Sequence, residues 1–348
     1  MISWVLLLGV ILSACSPVPI EAEEAQTKPI PARTDHSQRT IYLAAGCFWG
    51  VEAYYQLIPG ILQVESGYAN GDTEDTTYRQ IGKTGHAEVV KIDYDSNTIH
   101  LAEILDRFYL IVDPLALNRQ GNDVGTQYRS GIYYVTDEAK EIIDQSMDLF
   151  HERLGQTSYI EVEKLENYIP AEDYHQDYLA NNPGAYCHVD LNQSKHILYP
   201  GIEKPSQADL KATLDSITYD VTQNAGTEIA HSSELNTQEG RGIYVDVITG
   251  QPLFSSRDKY DAGCGWPSFT KPITTDVIQY LEDRSHGMNR TEVQTWESGN
   301  HLGHVFNDGP RSEGGLRYCI NGVSLRFISE EEMTQQGLQA LLPYLMDE

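Results

Sequence analysis

From Ile41 onward, apolar runs of strand length alternate with stripes of helical period. Ile41 to Ala45 is an apolar run that stops at Gly46 and predicts a strand. VEAYYQLIPG follows and predicts a short helix closed by Pro59-Gly60. Residues 86–95, HAEVVKIDYD, alternate, which puts Glu88, Val90, Ile92 and Tyr94 on one strand face. Between Asn97 and Val112 the spacing turns helical, with Leu101, Ile104, Leu105, Phe108, Ile111 and Val112 in one stripe. SGIYYVT predicts another strand. Thr136 is placed to cap a helix carrying Ile142, Ile143, Met147, Phe150 and Leu154. Mixed strands and helices over residues 39–190 predict an α/β domain, an α+β two-layer sandwich.

The character changes after residue 190. Residues 191–206 carry Pro and Gly with little periodicity and predict a linker; one helix follows near 207–217. Beyond it, RGIYVDV, ITGQPLFSS, TEVQTW, GHVF, RYCIN and VSLRFI are short β-like runs divided by turn residues. They predict a mainly-β domain over 207–348, a small barrel or folded sheet, with a last short helix in SEEEMTQQGLQALLPYL. No internal repeat is visible. At the other end, residues 16–38 are rich in Pro and Glu and predict a flexible tether. Residues 4–12, WVLLLGVIL, are too short to span a bilayer as a helix and lead into Leu12-Ser13-Ala14-Cys15. Residues 1–15 therefore look like a bacterial lipoprotein signal, cleaved before Cys15 with acylation of its sulfur. MISW lacks the usual basic residues, and an ordinary secretory signal or an uncleaved anchor are the alternatives.

Composition narrows the partners. A formal net charge of −27 on 348 residues argues against nucleic acid, which would repel the chain. The five cysteines are Cys15, Cys47, Cys187, Cys264 and Cys319. An odd number in an exported chain needs explaining, and lipidation of Cys15 would leave four in an export compartment.

The chemistry of the first half centres on AAGCFWG. Cys47 lies where a strand gives way to a helix, where backbone N–H groups and the helix dipole favour a thiolate. Gly46 and Gly50 leave room for a substrate, and Phe48 and Trp49 offer an apolar wall. A buried structural thiol is the competing reading. Glu88 on its apolar strand face would have a raised pKa and could act as an acid near neutral pH, unless it faces water at a frayed strand start. Tyr78, Asp123 and Tyr128 are loop residues, weak candidates singly. In the second half, Cys264 and Cys319 with His301 and His304 of HLGHVF could hold zinc, although close C-x-x-C pairs are absent; a structural disulfide is the stronger alternative.

Taken in order, GCFWG, TTYRQ, GKTGHAEV, QGNDVGTQYRS, EDYHQDYL and NPGAYC resemble peptide methionine sulfoxide reductase A over about residues 40–190. The resemblance implies Cys47 as the nucleophile on the sulfoxide sulfur, Glu88 as the acid that protonates its oxygen, and Cys187 as the resolving thiol. It implies that Tyr78 and Tyr128 bind that oxygen, that Asp123 supports the site, and that Phe48 and Trp49 hold the methyl group. CGWPSF, HGMNRTEV, HLGHVFNDGP and GLRYCINGVSLRF are similar to peptide methionine sulfoxide reductase B over about residues 207–330. Carried over, Cys319 is the nucleophile, Cys264 the resolving thiol and Trp266 the methyl-pocket wall, while His301, His304 and Asn321 bind and protonate the oxygen. Where many members carry zinc-holding cysteine pairs, this chain reads YVDVITGQP and TWESGNHLG, which implies the zinc-free form, with no metal and no bound cofactor. It also departs at HSSELNTQEGRG, where the family more often has an aromatic-rich loop.

The two resemblances together imply a fusion that repairs both epimers of methionine sulfoxide, since the sulfur is chiral and each pocket reads one form. Its substrates would be oxidised proteins and free methionine sulfoxide. Its reductant would be an external dithiol, thioredoxin or an export-side equivalent. The expected protein is a monomer, held to a membrane only through its N-terminal lipid and facing the periplasm or cell exterior. The rival class is a disulfide isomerase, redox chaperone or redox sensor, against which stands the absence of any C-x-x-C.

Overall fold

The computed structural model describes residues 27–33 and 37–348. The signal and the acylation site proposed at Cys15 lie outside the described residues.

The first domain is built on one sheet. Its elements are β1 (Gln38–Ala45), α1 (Phe48–Tyr55), β2 (Ile61–Ala69), β3 (Ala87–Asp95), α2 (Leu101–Ile111), β4 (Ser130–Tyr134), α3 (Asp137–Leu154), β5 (Glu161–Lys164) and β6 (Tyr168–Pro170). The strand order is β5-β4-β1-β3-β2-β6, antiparallel except for the β4–β5 pair. Ile41, Leu43, Val90, Ile92 and Ile132 point to one face and pack with the apolar stripes of α1, α2 and α3. The other face carries a smaller cluster around Tyr42, Val89 and Tyr133. Thr136 caps α3 as expected, accepting from the Ala139 N–H. The helix expected from Asn97 begins only at Leu101, because the Asp95 carboxylate takes Asn97 N–H and the Thr98 hydroxyl into a turn.

The second domain opens with two helices, α4 (Gln207–Thr213) and α5 (Ser216–Asn224), where the pattern predicted one. The β-branched residues of α5 hide its helical period, yet Asp215 caps it through Ile217 and Thr218 N–H. The strands that follow are β7 (Gly242–Asp246), β8 (Pro252–Ser255), β9 (Ile278–Asp283), β10 (Arg290–Thr295), β11 (His301–Phe306), β12 (Arg317–Ile320) and β13 (Leu325–Ser329). Strand β9 had no counterpart in the sequence reading. Strands β9-β10-β11-β12 continue into two-residue strands at Ser268–Phe269 and Lys259–Tyr260, while β8-β7-β13 form a second, small sheet. The folded-sheet expectation holds. The terminal helix is short: α6 (Glu330–Gln335), with a capping box between Ser329 and Glu332, stops before Gly337 at φ +74° and gives way to a 3₁₀ turn over Gln339–Leu345.

One expectation is corrected. The described part of the tether is docked: Thr27 and Lys28 pair with Leu281 and Tyr280 at the edge of β9, and Arg33 donates to the carbonyls of Glu313 (3.0 Å) and Thr270 (3.2 Å). An open sheet edge presents unpaired N–H and C=O groups, and this segment satisfies them despite its composition. The connecting segment over 191–206 makes its own fixed contacts. Tyr199 donates its hydroxyl to Asp106 (2.6 Å), Ile202 N–H reaches Thr249 O (2.9 Å), and Lys204 Nζ reaches Ser298 O (2.8 Å).

The domains meet through buried charge. Arg107, on α2, is 1% exposed; it donates to Glu103 Oε1 (3.0 and 2.8 Å), to Asp276 Oδ2 of the second domain (3.1 Å) and to the Ser194 carbonyl (3.5 Å). Glu103 in turn accepts from the N–H (2.9 Å) and hydroxyl (2.6 Å) of Thr275. A second cluster joins His100 to Asp258 (3.0 Å) and Glu348 to Arg257 (3.4 Å) and to the Leu101 N–H (2.9 Å). Ala102 of α2 packs in the core of the second domain, and Met346 packs against the core of the first.

Arg107→Ala leaves the buried Glu103 carboxylate and the partly buried Asp276 without their cation. Breaking a buried ion pair costs about 3–5 kcal/mol. Because the network spans both domains, calorimetry should show thermal unfolding of both moving down together. A shift confined to the first domain would contradict this coupling.

Candidate active sites

The first site forms at the end of β1. Gly46 sits at φ +81°, and a Cβ there would fall 2.4 Å from Gln120 Cβ, so only glycine makes the turn. Cys47 follows in extended conformation as the N-cap of α1. A Cβ on Gly50 would lie 2.7 Å from Cys187 Sγ, so this second glycine makes room for the other thiol of the domain. Cys187 is close enough that its charge acts on Cys47. The two glycines therefore serve the backbone turn and the second sulfur.

Glu88, second residue of β3, is 1% exposed, which rules out a frayed, water-facing strand end. It lies on the helix side of the sheet, and its Oε2 accepts the Phe48 N–H at 3.2 Å. Burial pushes its carboxyl up to about 8, against the Phe48 N–H and with a small push from Asp123. Burial also holds the Cys47 thiol well above its ordinary value, with Glu88 adding to the rise. The thiolate expected from the helix N-terminus is therefore not favoured. The Trp49 backbone does favour the anion, but desolvation outweighs it. At neutral pH both groups keep their protons.

Around them stands an aromatic wall. Trp49 stacks on Tyr178 with centroids 3.7 Å apart, and its Nε1 donates to His175 Nδ1 (3.1 Å). The Phe48 ring is buried at 1% exposure behind it, beside Tyr68 and His175. Burial, with the charge of Glu88 adding, raises the hydroxyls of both Tyr78 and Tyr128 above their ordinary value. Asp123 Oδ2 is buried with no hydrogen-bond partner among the described residues. All eight residues named for this domain, Cys187 included, thus gather in one region. Missing from the sequence reading were roles for Glu172, His175 and Tyr178. Glu172 accepts from the Tyr68 hydroxyl (2.7 Å) and the Tyr78 N–H (3.2 Å), tying the wall to the Tyr78 loop. All three lie in EDYHQDY, whose alternation of acids and aromatics was a usable signal.

In the second site Cys319, on β12, and Cys264, before the short strand at Ser268, bring their sulfurs to 3.7 Å. Burial and the neighbouring Cys264 push the Cys319 thiol up to about 12, with Arg317 opposing. Burial raises Cys264 too, but the Ser268 hydroxyl, the Trp266 backbone and Cys319 outweigh it, leaving that thiol below its ordinary value. Two thiols this close titrate as a pair, so the first ionisation of the pair is easy and the second is hard. Cys319, Trp266, His304 and Asn321 line a cavity of about 120 Å³ together with Thr227, Arg290, Gly303 and Phe306. His304 bonds Asp283 (2.7 Å), which also takes Arg290 (2.6 Å). Burial holds His304 below its ordinary value, so it stays neutral and able to shuttle a proton. His301 is 3% exposed and bonds Glu292 (2.6 Å), outside the cavity lining, with its Nε2 buried and without a hydrogen-bond partner among the described residues. Asn321 is held at both ends: Oδ1 accepts from the Glu228 N–H (3.0 Å) and Nδ2 donates to the Leu302 carbonyl (3.0 Å). Among the described residues no three His, Cys, Asp or Glu side chains gather as a metal site.

Comparison with known proteins agrees with this division. Residues 39–203 match the family model of peptide methionine sulfoxide reductase, and residues 214–329 match that of the SelR domain. Among solved structures, Mxr1 from Saccharomyces cerevisiae in reduced form is 35% identical over 46% of this chain and 92% of its own, with a TM-score of 0.42. Methionine sulfoxide reductase A of Corynebacterium diphtheriae is 31% identical over 49% of this chain and 94% of its own, with a TM-score of 0.39. Mxr1 in complex with Trx2 is 24% identical over 43% and 91%, with a TM-score of 0.31. The chain belongs to the peptide methionine sulfoxide reductases, an A-type domain followed by a SelR, or B-type, domain. It is a thiol-dependent oxidoreductase that returns both epimers of methionine sulfoxide to methionine.

Proposed function

We propose that Cys47 and Cys319 are the two nucleophiles, Glu88 the acid of the first site, and Cys187 and Cys264 the resolving thiols. The observation that carries the first assignment is the position of Glu88: a carboxyl 1% exposed, held against the Phe48 N–H beside Cys47, where burial raises it to about 8. A sulfoxide oxygen leaves only when protonated, and Glu88 is the acid in place to supply that proton. The Cys47 sulfur bonds the sulfoxide sulfur, the oxygen passes to cysteine as a sulfenic acid, and methionine departs. Cys187 then displaces that hydroxyl as water and forms a disulfide, and an external dithiol returns the pair to thiols. Phe48 and Trp49 receive the methyl group, Tyr78 and Tyr128 direct their hydroxyls to the oxygen, and Asp123 supports the site. In the second domain the 3.7 Å sulfur separation suits the same cycle. Trp266 receives the methyl group there, and His304 with Asn321 meets the oxygen. His301 acts from outside the cavity lining, its ring oriented by Glu292. The reductant is a thioredoxin-like dithiol protein.

The N-terminal apolar run and its LSAC ending support a chain exported through a lipoprotein signal, anchored by lipid on Cys15 and facing the periplasm or cell exterior as a monomer. The missing cysteine pairs support a second domain without structural zinc.

Glu88→Gln keeps the shape but has no proton to give. Single-turnover reduction of the S epimer should fall by about 10²–10⁴-fold, the usual worth of general acid catalysis. R-epimer reduction by the second domain should not change. In the wild type the S-epimer rate should decline as pH climbs through about 8, where Glu88 loses its proton. The stability sign runs the same way. A carboxyl whose folded pKa is raised stabilises the fold fully at low pH, and that contribution is lost as pH rises from 4.5 to about 8. Urea unfolding should therefore find Glu88→Gln less pH-sensitive than the wild type. An S-epimer rate near that of the wild type would move the acid role to Tyr78 or Tyr128.

Radiolabelled palmitate should enter the wild type and not Cys15→Ser. Elemental analysis of the purified chain should find no stoichiometric zinc.

A further inference from the structure

Glu228 lies in the stretch between α5 and β7, six residues after Thr222, and is 3% exposed. Four hydrogen bonds join it to two distant segments, one at Trp266 and one at 321–323. Its backbone N–H donates to Asn321 Oδ1 (3.0 Å), and its carbonyl accepts from Trp266 Nε1 (3.2 Å). Its carboxylate takes one backbone N–H on each oxygen, Gly322 on Oε1 (2.6 Å) and Val323 on Oε2 (3.1 Å). Gly322 lets this segment come so close: a Cβ there would fall 2.0 Å from Ser233 Oγ and 3.2 Å from Glu228 Oε1. Trp266, Asn321 and Thr227 all line the cavity of about 120 Å³ beside Cys319, whereas Glu228 does not. One buried carboxylate thus fastens the backbone that holds both the indole and the carboxamide. The donor on Oδ1 and the acceptor at Nδ2 also leave Asn321 one orientation.

We infer that Glu228 is the positioning residue of the second site, setting the distance between the Trp266 ring and the Asn321 amide and so the width of the pocket for the methylsulfinyl group. This rests on the reading of Trp266 and Asn321 as walls of that pocket. A carboxylate is required because two N–H donors face it. A glutamine would offer one oxygen and would set its amide hydrogens against the other donor. A residue that only capped the Gly322 turn would affect folding alone. One that sets pocket width affects substrate affinity in a folded protein.

The test uses the full chain with Glu228→Gln and Glu228→Asp. The second keeps the charge but withdraws the oxygens by one methylene, and it serves if the first does not fold. KM for free methionine-R-sulfoxide should rise about tenfold, the worth of one hydrogen bond to a charged group. The alkylation rate of Cys319 by iodoacetamide, near-UV circular dichroism and S-epimer turnover should stay near wild type. Trp266→Ala is the reference. If it raises KM and the Glu228 variants do not, the positioning role is overturned and the pocket reading stands. If Trp266→Ala leaves KM unchanged, the pocket reading itself fails. Loss of R-epimer activity in step with loss of folded protein in both Glu228 variants would also overturn the positioning role.

Discussion

Arg107 is a guanidinium with almost no access to water, and that condition shapes the whole molecule. A buried guanidinium has five N–H donors to satisfy and a charge to balance. Glu103, one turn earlier on the same helix, cannot do this alone. The remaining acceptors come from Asp276 of the second domain and from the Ser194 carbonyl of the connecting segment. The same pairings give Thr275 and Leu198 their partners, since Glu103 takes the first and Asp276 the second. A linker and two domains are thereby drawn to one buried point, which explains why residues 191–206 lie fastened across the surface.

The two sites solve a shared problem in different ways. In both, burial sets the charge of a group beside a thiol: it keeps the Glu88 carboxyl protonated and the His304 imidazole neutral. In the first, a carboxyl is taken out of water under a helix N-terminus, and desolvation holds its proton to about 8. In the second, a histidine is buried against a carboxylate whose charge is already shared with Arg290. The thiols differ accordingly. The first pair is brought together across a glycine of α1, while in the second the two sulfurs already stand 3.7 Å apart. Each site is walled by a tryptophan whose indole N–H is spent on a fixed partner, His175 or the Glu228 carbonyl, so that the ring holds its place.

Much of this was legible in the residues themselves. Alternation in HAEVVKIDYD placed Glu88 on the apolar face, and the break at Gly46 placed Cys47 at a strand-to-helix turn. Local pattern failed where side chains oppose local preference. Helix α5 is full of β-branched residues, and β9 carries no clear alternation. Composition failed at residues 27–33, because a proline-bearing segment is ordered there by an edge strand more than two hundred residues away in sequence.

What the sequence alone determined is the cast of chemical groups and the local geometry of each: which strands and helices carry the thiols, and where glycine permits a turn. Those follow from hydrophobic period and backbone sterics, which act over a few residues. The tertiary structure decided everything that depends on removal from water by distant atoms. It decided that Cys47 rests as a thiol and Glu88 as an acid, that Glu228 ties Trp266 to Asn321, and that the two domains share buried charge. Desolvation and long-range hydrogen bonding depend on which surfaces close over a group, and no stretch of sequence contains its own cover.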